Sequence, residues 1–305
     1  MKLFVKSLVI TALSVQAVGA SAAMLDLRVA GQFNAFIFND FIDPSGRVDG
    51  ALAVGNHLQI SNYSINSNNK SVNGYGLVVG KNLSFTGGDV FNGNLYAGGT
   101  IDTSSFSSHG GIYGSSSPVD FASEKARLTA LSNNLQGVVS TGTVVSQYSG
   151  LYLTASNGVD PQVFNVSGAD FFAANNVNLT GFQSNQTIIF NISGNASGFN
   201  GGVGYGFSGY NVLFNFYQAT SLDTGSGANG SVLAPFATLT GNSTISGNVI
   251  ANNWSAGTVG AGNYFKGTNV AGLTLVTPVP EADAFGMLLT GLGVMGLMLG
   301  RKKRT

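Results

Sequence analysis

The sequence predicts a mainly β protein, a right-handed parallel β-solenoid with one flanking α-helix, and three observations lead there. Glycine supplies 44 of 305 residues while charged residues make up only 9%, against about 25% in ordinary globular domains, so turns are frequent and surface charge is sparse. Hydrophobic residues still make up 44% and are spread along the chain, enough for a long core rather than disorder. Finally, "ALAVGNHLQI" (51–60), "GLVVGKNLSF" (76–85) and "NLYAGGTIDT" (94–103) share one plan. Each is a short β-prone run, a glycine turn (Gly55, Gly80, Gly98) and an apolar residue three positions on (Leu58, Leu83, Ile101). The spacing of those glycines falls in the range of one coil of a repeat architecture.

The chain opens with "MKLFVKSLVITALSVQAVGASAAM": Lys2 and Lys6, an apolar run from Leu8 to Val18, then Ala20-Ser21-Ala22. A basic head, a short apolar stretch and a small-residue exit make a secretory signal peptide over residues 1–23, cleaved after Ala22 or Ala23. Export through an inner membrane is the expectation.

Residues 24–277 form the body. In its coils, strand residues alternate inward and outward, and Gly and Asn take corners that need positive φ or close backbone approach. A later stretch, "GSVLAPFATLTGNSTISGNVIANN" (230–253), repeats the rhythm of short strand and turn. A β-sandwich also uses short strands and frequent turns; the recurring coil and small inward candidates Ala51, Ala53, Ala97 and Ala251 favour the solenoid. One segment differs. "SPVDFASEKARLTALSNNLQG" offers Ser117 as N-cap, Pro118 at the first helical position and Gly137 as stop, predicting a helix over about 118–136. Phe121, Leu128, Leu131 and Leu135 give it one apolar face, with Glu124, Lys125 and Arg127 toward water.

The tail, residues 278–305, reads "VPEADAFGMLLTGLGVMGLMLGRKKRT" after its first residue. Ala284 to Leu299 would reach about 24 Å as a helix, short for a hydrocarbon core of about 30 Å, and would span with its flanks or by thinning the bilayer. Arg301, Lys302, Lys303 and Arg304 would stay cytoplasmic, leaving the body on the outer face. A plain membrane anchor is the alternative, with Gly296 and Gly300 at a helix-pairing spacing.

Val279-Pro280-Glu281, the short apolar helix and the basic cluster together resemble the PEP-CTERM sorting signal of Gram-negative bacteria. Ala282 stands where that signal usually has a second proline. The resemblance implies processing by an exosortase-type enzyme, a transient hold on the inner membrane, and delivery to the cell surface or extracellular matrix.

The body resembles the choice-of-anchor A family through blocks in one order across residues 27–268. They are "FNAFIFNDF", "GRVDGALAVGN", "PVDFASEKARLTALS", "TIIFNISG", "NVLFNFYQATSL" and the 230–253 stretch. This implies a secreted surface protein with an adhesive role and a plan similar to ice-binding solenoids; it brings no catalytic residues.

Composition narrows the chemistry. No cysteine is present, which excludes disulfides, thiolate metal sites and a cysteine nucleophile. Residues 24–278 carry seven Lys/Arg against eleven Asp/Glu, so nucleic acid is not an expected partner. His57 and His109 lack metal-ligand spacing and read as solvated loop residues. The chain lacks G-x-S-x-G. A glycan-active enzyme on a β-helical scaffold is the rival reading, and it would need clustered acids or acids facing the few arginines, Arg28, Arg47 and Arg127.

Asp40, Asp43 and Asp49 are the candidate Ca²⁺ ligands, although Asp before Pro or Gly is a common turn device. No other cofactor is expected. Thr238, Thr240 and Thr244 are candidates for contact with a sugar or ordered water, against ordinary Thr preference for strands. Eleven N-x-[ST] triplets, Asn62 and Asn191 among them, follow from composition. Trp254 stacks on sugar if outward and fills the core if inward. The expectation is a non-enzymatic exported adhesin that binds polysaccharide or another surface, with ice binding as a further alternative.

Overall fold

The computed structural model describes residues 22–275, except the side chains of Ala196 and Ala256. The expected leader up to Ser21, the sorting motif at Val279–Glu281, the apolar helix and the basic tail lie outside these residues. Strand takes 49% and helix 12%, which fixes the class as mainly β, around a closed, barrel-like core of parallel strands.

Parallel pairing dominates because the chain returns to the same side at each turn. Along the first side the strands stack in the order Gln162–Ser167, Thr187–Ser193, Asn211–Phe216, Ser231–Ser246, Val249–Gly260, Ala35–Ile37, Leu52–Val54, Tyr75–Val79, Asn94–Ala97 and Ile112–Tyr113. A second side carries Leu222, Leu239, Trp254, Phe41, Leu58, Leu83 and Ile101 in register. A third carries Ile245, Val259, Val48, Ile65, Val90 and Ser108. Antiparallel pairing is confined to Ala22–Leu25 with Thr268–Ala271 and Thr143–Gln147 with Gly150–Thr154 among the described strands. The face-to-face antiparallel sheets of a sandwich are therefore not what forms.

The glycine rhythm has a direct cause. Gly55, Gly80 and Gly98 stack on one another, and a Cβ on any of them would run into the carbonyl of the turn before it: Phe38, Gly55 and Gly80 respectively. At the corner between the second and third sides the requirement is instead a left-handed backbone: Asn62, Gly87 and Ser105 have φ of 48°, 68° and 50°. Asn tolerates that region better than most side chains.

Stack order and chain order differ. The first turn of the chain inserts beside the last, with Ala35 paired to Val249 on one side and to Leu52 on the other. Two fully buried asparagines close this seam. Asn34 donates to the carbonyls of Gly247 (2.6 Å) and Gly260 (3.1 Å) and accepts from Gly50 N (2.9 Å). Asn248 donates to Gly31 O (2.8 Å) and Phe33 O (2.7 Å) and accepts from Phe265 N (3.0 Å). Buried amides so fully used specify which turns meet.

In-register stacking also sorts the interior by residue type. Phe164, Phe190 and Phe214 occupy one inward row, with ring centroids 5.7 and 5.5 Å apart. Farther along, the same row is Val232, Val249, Ala35, Leu52, Leu77 and Leu95. Trp254 points inward and stacks on Phe41 at 5.5 Å. Ala97 and Ala251 face this interior as expected; Ala51 and Ala53 are buried on the other side of the sheet, in the layer under the long helix.

That helix spans Phe121–Gln136 and begins three residues later than the Pro118 signal suggests. Its N-cap is Asp120, whose carboxylate accepts from Ser123 N (3.0 Å) and Ser123 Oγ (2.7 Å). Ser117 instead closes a local turn on Val119, a buried residue ahead of the helix. Leu128, Leu131 and Leu135 are buried against Val163, Ile189, Leu213, Leu233 and Ile250 of the first side. Full burial of such a side chain contributes roughly 1.5–3 kcal/mol. Glu124 and Arg127 are half-buried rather than solvated: they pair at 2.6 Å, and Arg127 also donates to Leu27 O (2.8 Å). Lys125 is exposed, donates to Asn252 Oδ1 (3.1 Å) and lies 5.8 Å from the Phe38 ring.

Candidate binding face

The three sides carry different outward residues. On the first, the outward row begins with Asn165, Asn191 and Asn215 and continues Leu233, Ile250, Phe36, Ala53 and Val78. The asparagines form a ladder. Asn215 Nδ2 donates to Asn191 Oδ1 (3.0 Å), and Asn191 Nδ2 to Asn165 Oδ1 (3.0 Å). Each also binds the helix end: Asn215 to Ser132 O (2.9 Å), Asn191 to Leu135 O (2.7 Å) and Asn165 to Val138 O (3.1 Å). The ladder thus ties the last turn of the helix and Val138 beyond it to the sheet and seals this side. Sequence reasoning missed it. Its signal is a Phe-Asn pair at 164–165, 190–191 and 214–215, each between aliphatic or aromatic residues.

Among the described residues the second side is bare. Its outward row runs Asp223, Thr240, Ser255, Ile42, Gln59, Ser84 and Asp102, about 4.8 Å from turn to turn. Pro44, Ser61 and Thr86 flank it and, with Ile42, Gln59 and Ser84, line an open groove. Ile42, at 48% exposure, is the large apolar group in this row. Of the threonine candidates, Thr240 belongs to the row and is exposed. Thr238, two residues earlier, is on the same outward face but in the adjacent row of Ser221 and Asn253, where its hydroxyl accepts from Asn253 Nδ2 (3.1 Å). Thr244 is on the third side, opposite Thr258. The three are not brought onto one row.

The three aspartates are not brought together either: Asp40 precedes and Asp43 ends the second-side strand Phe41–Asp43, with Asp43 turned inward, and Asp49 follows the third-side strand Gly46–Val48. Asp40 accepts from Asn56 Nδ2 (2.7 Å) and His57 N (3.2 Å). Asp43 turns inward and is 6% exposed, accepting from Ser45 N (3.2 Å) and Tyr63 OH (3.3 Å). Burial pushes its carboxyl up, against hydrogen bonds from Ser45, Tyr63 and Trp254. Burial likewise drives the Tyr63 phenol well above its ordinary range, with the Asp43 charge adding to it. Asp49 pairs with Arg47 (3.0 Å) and accepts from Ala261 N (3.2 Å). Among the described residues, no group of three His, Asp or Glu side chains is placed to hold a metal ion. His57 is exposed. His109, also exposed, stacks on Phe91 and lies 3.8 Å from Asp89.

Of the expected cleavage residues, Ala22 opens the strand Ala22–Leu25 and pairs with Ala271, while Ala20 lies outside the described residues. Among those residues no helix is long and apolar enough to cross a membrane.

The parallel β body is sealed on one side and carries open polar rows on another among the described residues. The chain belongs to the family described as "Putative Ice-binding-like adhesive domain", which matches residues 26–263. No curated protein and no solved structure matches it. The family supports an adhesive surface protein at that level of description. The choice-of-anchor A and PEP-CTERM likenesses rest on the motif blocks alone.

Proposed function

We propose that the chain is an exported bacterial adhesin whose bare second side makes many weak contacts with extracellular polysaccharide. The observation that carries this reading is the asymmetry between the sides: the Asn ladder and the helix occupy one, while the Asp223-to-Asp102 row on another is repeated turn by turn and left open. Spaced hydroxyls, amides and one apolar side chain suit sugar rings, which present hydroxyls and C–H faces together. On this reading the stacked turns are a right-handed β-solenoid, a plan supported by their parallel register. The leader directs export, an exosortase-type enzyme removes the tail, and the body remains at the cell surface or in the matrix. The protein acts without a catalytic group, and without a metal at Asp40, Asp43 and Asp49.

Retention of the full chain on immobilised extracellular polysaccharides tests it. Gln59→Arg with Ser84→Arg is expected to reduce retention at least tenfold, while Lys125→Ala on the helix side leaves it unchanged. Product release from the polysaccharide would replace this reading with a glycan-active enzyme. The exposed Thr240 in a regular row favours a second reading, binding to ice; thermal hysteresis lost in Thr240→Arg would support it.

A further inference from the structure

The two ends of the stack are finished differently. At one end the first side is closed: Thr141 N donates to Val163 O (3.0 Å), Val163 N to Thr141 Oγ1 (2.8 Å), and Asn165 N to Ser140 Oγ (3.0 Å). The second side there is covered by the short helix Gly168–Ala173, whose Gly168 carbonyl accepts from Ser197 Oγ (3.2 Å). Among the described strands of that end, Thr143–Gln147 and Asn176–Thr180 are the outer strands of a three-stranded sheet, each joined to Gly150–Thr154. At the other end Ile101–Ser108 pairs with Leu83–Val90 and, among the described residues, has no further strand beyond it. It carries one charge, Asp102, and no proline, so it lacks the usual protection of an edge. Ile101, Ile112 and Tyr113 stand 42%, 51% and 49% exposed at this end.

We infer that this end is a dimer interface in which Ile101–Ser108 pairs antiparallel with the same strand of a second copy. Backbone direction and side-chain parity select one register. Thr100 O accepts from Leu83 N, and His109 N donates to Val90 O. Backbone groups alternate along a strand, so Ile101, Thr103, Phe106 and Ser108 turn theirs outward. Ile101, Thr103, Phe106 and Ser108 also continue rows that face the interior, through Leu83, Phe85, Gly88 and Val90. A two-fold between Ser104 and Ser105 opposes Ile101 with Ser108 and Thr103 with Phe106, satisfying both conditions at once. It also falls at the corner where the strand bends, Ser105 having φ 50°, so the bends coincide. Asp102 then faces Ser107 of the copy, and the two Asp102 charges do not meet. A second copy is the occupant because the opposite end offers no two-sided edge for head-to-tail growth; the contact is isologous and closes at two. The inference does not depend on what the bare side binds.

Sedimentation velocity of the full chain over a concentration series tests this, with circular dichroism confirming the fold of each exposed-site variant. The wild-type chain is expected to dimerise. Ser107→Asp, which opposes like charges twice, weakens the dimer at least tenfold, and Ser107→Lys tightens it. In an Asp102→Lys background the order of the two reverses. A chain that is monomeric throughout, or a dimer indifferent to these changes or without the reversal, overturns the proposal. So does a monomer whose amides at 101, 103, 106 and 108 resist hydrogen exchange, since another segment then covers the edge.

Discussion

The first and second sides are built from the same kind of strand, in the same register and over the same interior, yet they differ in what their outward residues do. On the first, Asn165, Asn191 and Asn215 spend their amides on one another and on the helix carbonyls, and Leu233, Ile250 and Phe36 are buried by the layer above. On the second, Thr240, Ser255, Gln59 and Asp102 face solvent. Outward side chains on one therefore hold the fold together, and on the other they are free to change. That partition separates stability from recognition within a single architecture.

The largest expected effect comes from breaking the sealed side. Leu131→Ala removes a buried contact between helix and sheet and is expected to destabilise by about 2–5 kcal/mol, read from urea unfolding midpoints. Asn215→Ala leaves Asn191 Oδ1 without this donor and the buried Ser132 hydroxyl without its acceptor and should cost about 1–3 kcal/mol; a loss as small as that of an exposed Asn178→Ala control would remove the ladder from the account.

Alkaline titration sharpens the comparison from the interior. Tyr63 and Tyr264 both have phenols pushed up by burial, Tyr264 to about 12. The unfolded chain gives up these protons first, from about pH 10, while the folded chain retains them. Stability is therefore intact below pH 10 and falls as pH rises through 10 to 12. Tyr264→Phe is expected to reduce that fall, measured as the unfolding midpoint between pH 9 and 12. The smallest effects belong to the bare side: Thr240→Ala and Gln59→Ala should each change stability by no more than about 0.5 kcal/mol, and a larger loss would mean that the row is structural.

What could be read in the sequence was local. Gly55, Gly80 and Gly98 mark successive turns because each turn needs a backbone contact at the same place, and that need recurs in the text. The long helix was legible from Leu128, Leu131, Leu135 and Gly137. Its start was not, since Ser117 and Asp120 are both competent caps and only the burial of Val119 decides between them. The seam of Ala35 against Val249 leaves no trace in either segment, because it joins residues more than two hundred positions apart. Asp40, Asp43 and Asp49 are close in sequence yet separated, because the chain turns a corner between them, and no spacing rule for a calcium loop describes that path. Thr238 and Thr240, two residues apart, share the outward face as strand spacing requires; Thr244 lies past the next corner, on the third side.

One consequence follows from the seam and the short ladder of Ala22–Leu25 with Thr268–Ala271. Lys266 exchanges hydrogen bonds with Asn211, and Phe265 N donates to Ser231 Oγ and Asn248 Oδ1, so both ends of the described chain lie at the waist of the stack and not at either tip. Anything fastened to residue 22 or residue 275 therefore grips the molecule near its middle, as one holds a crossbar.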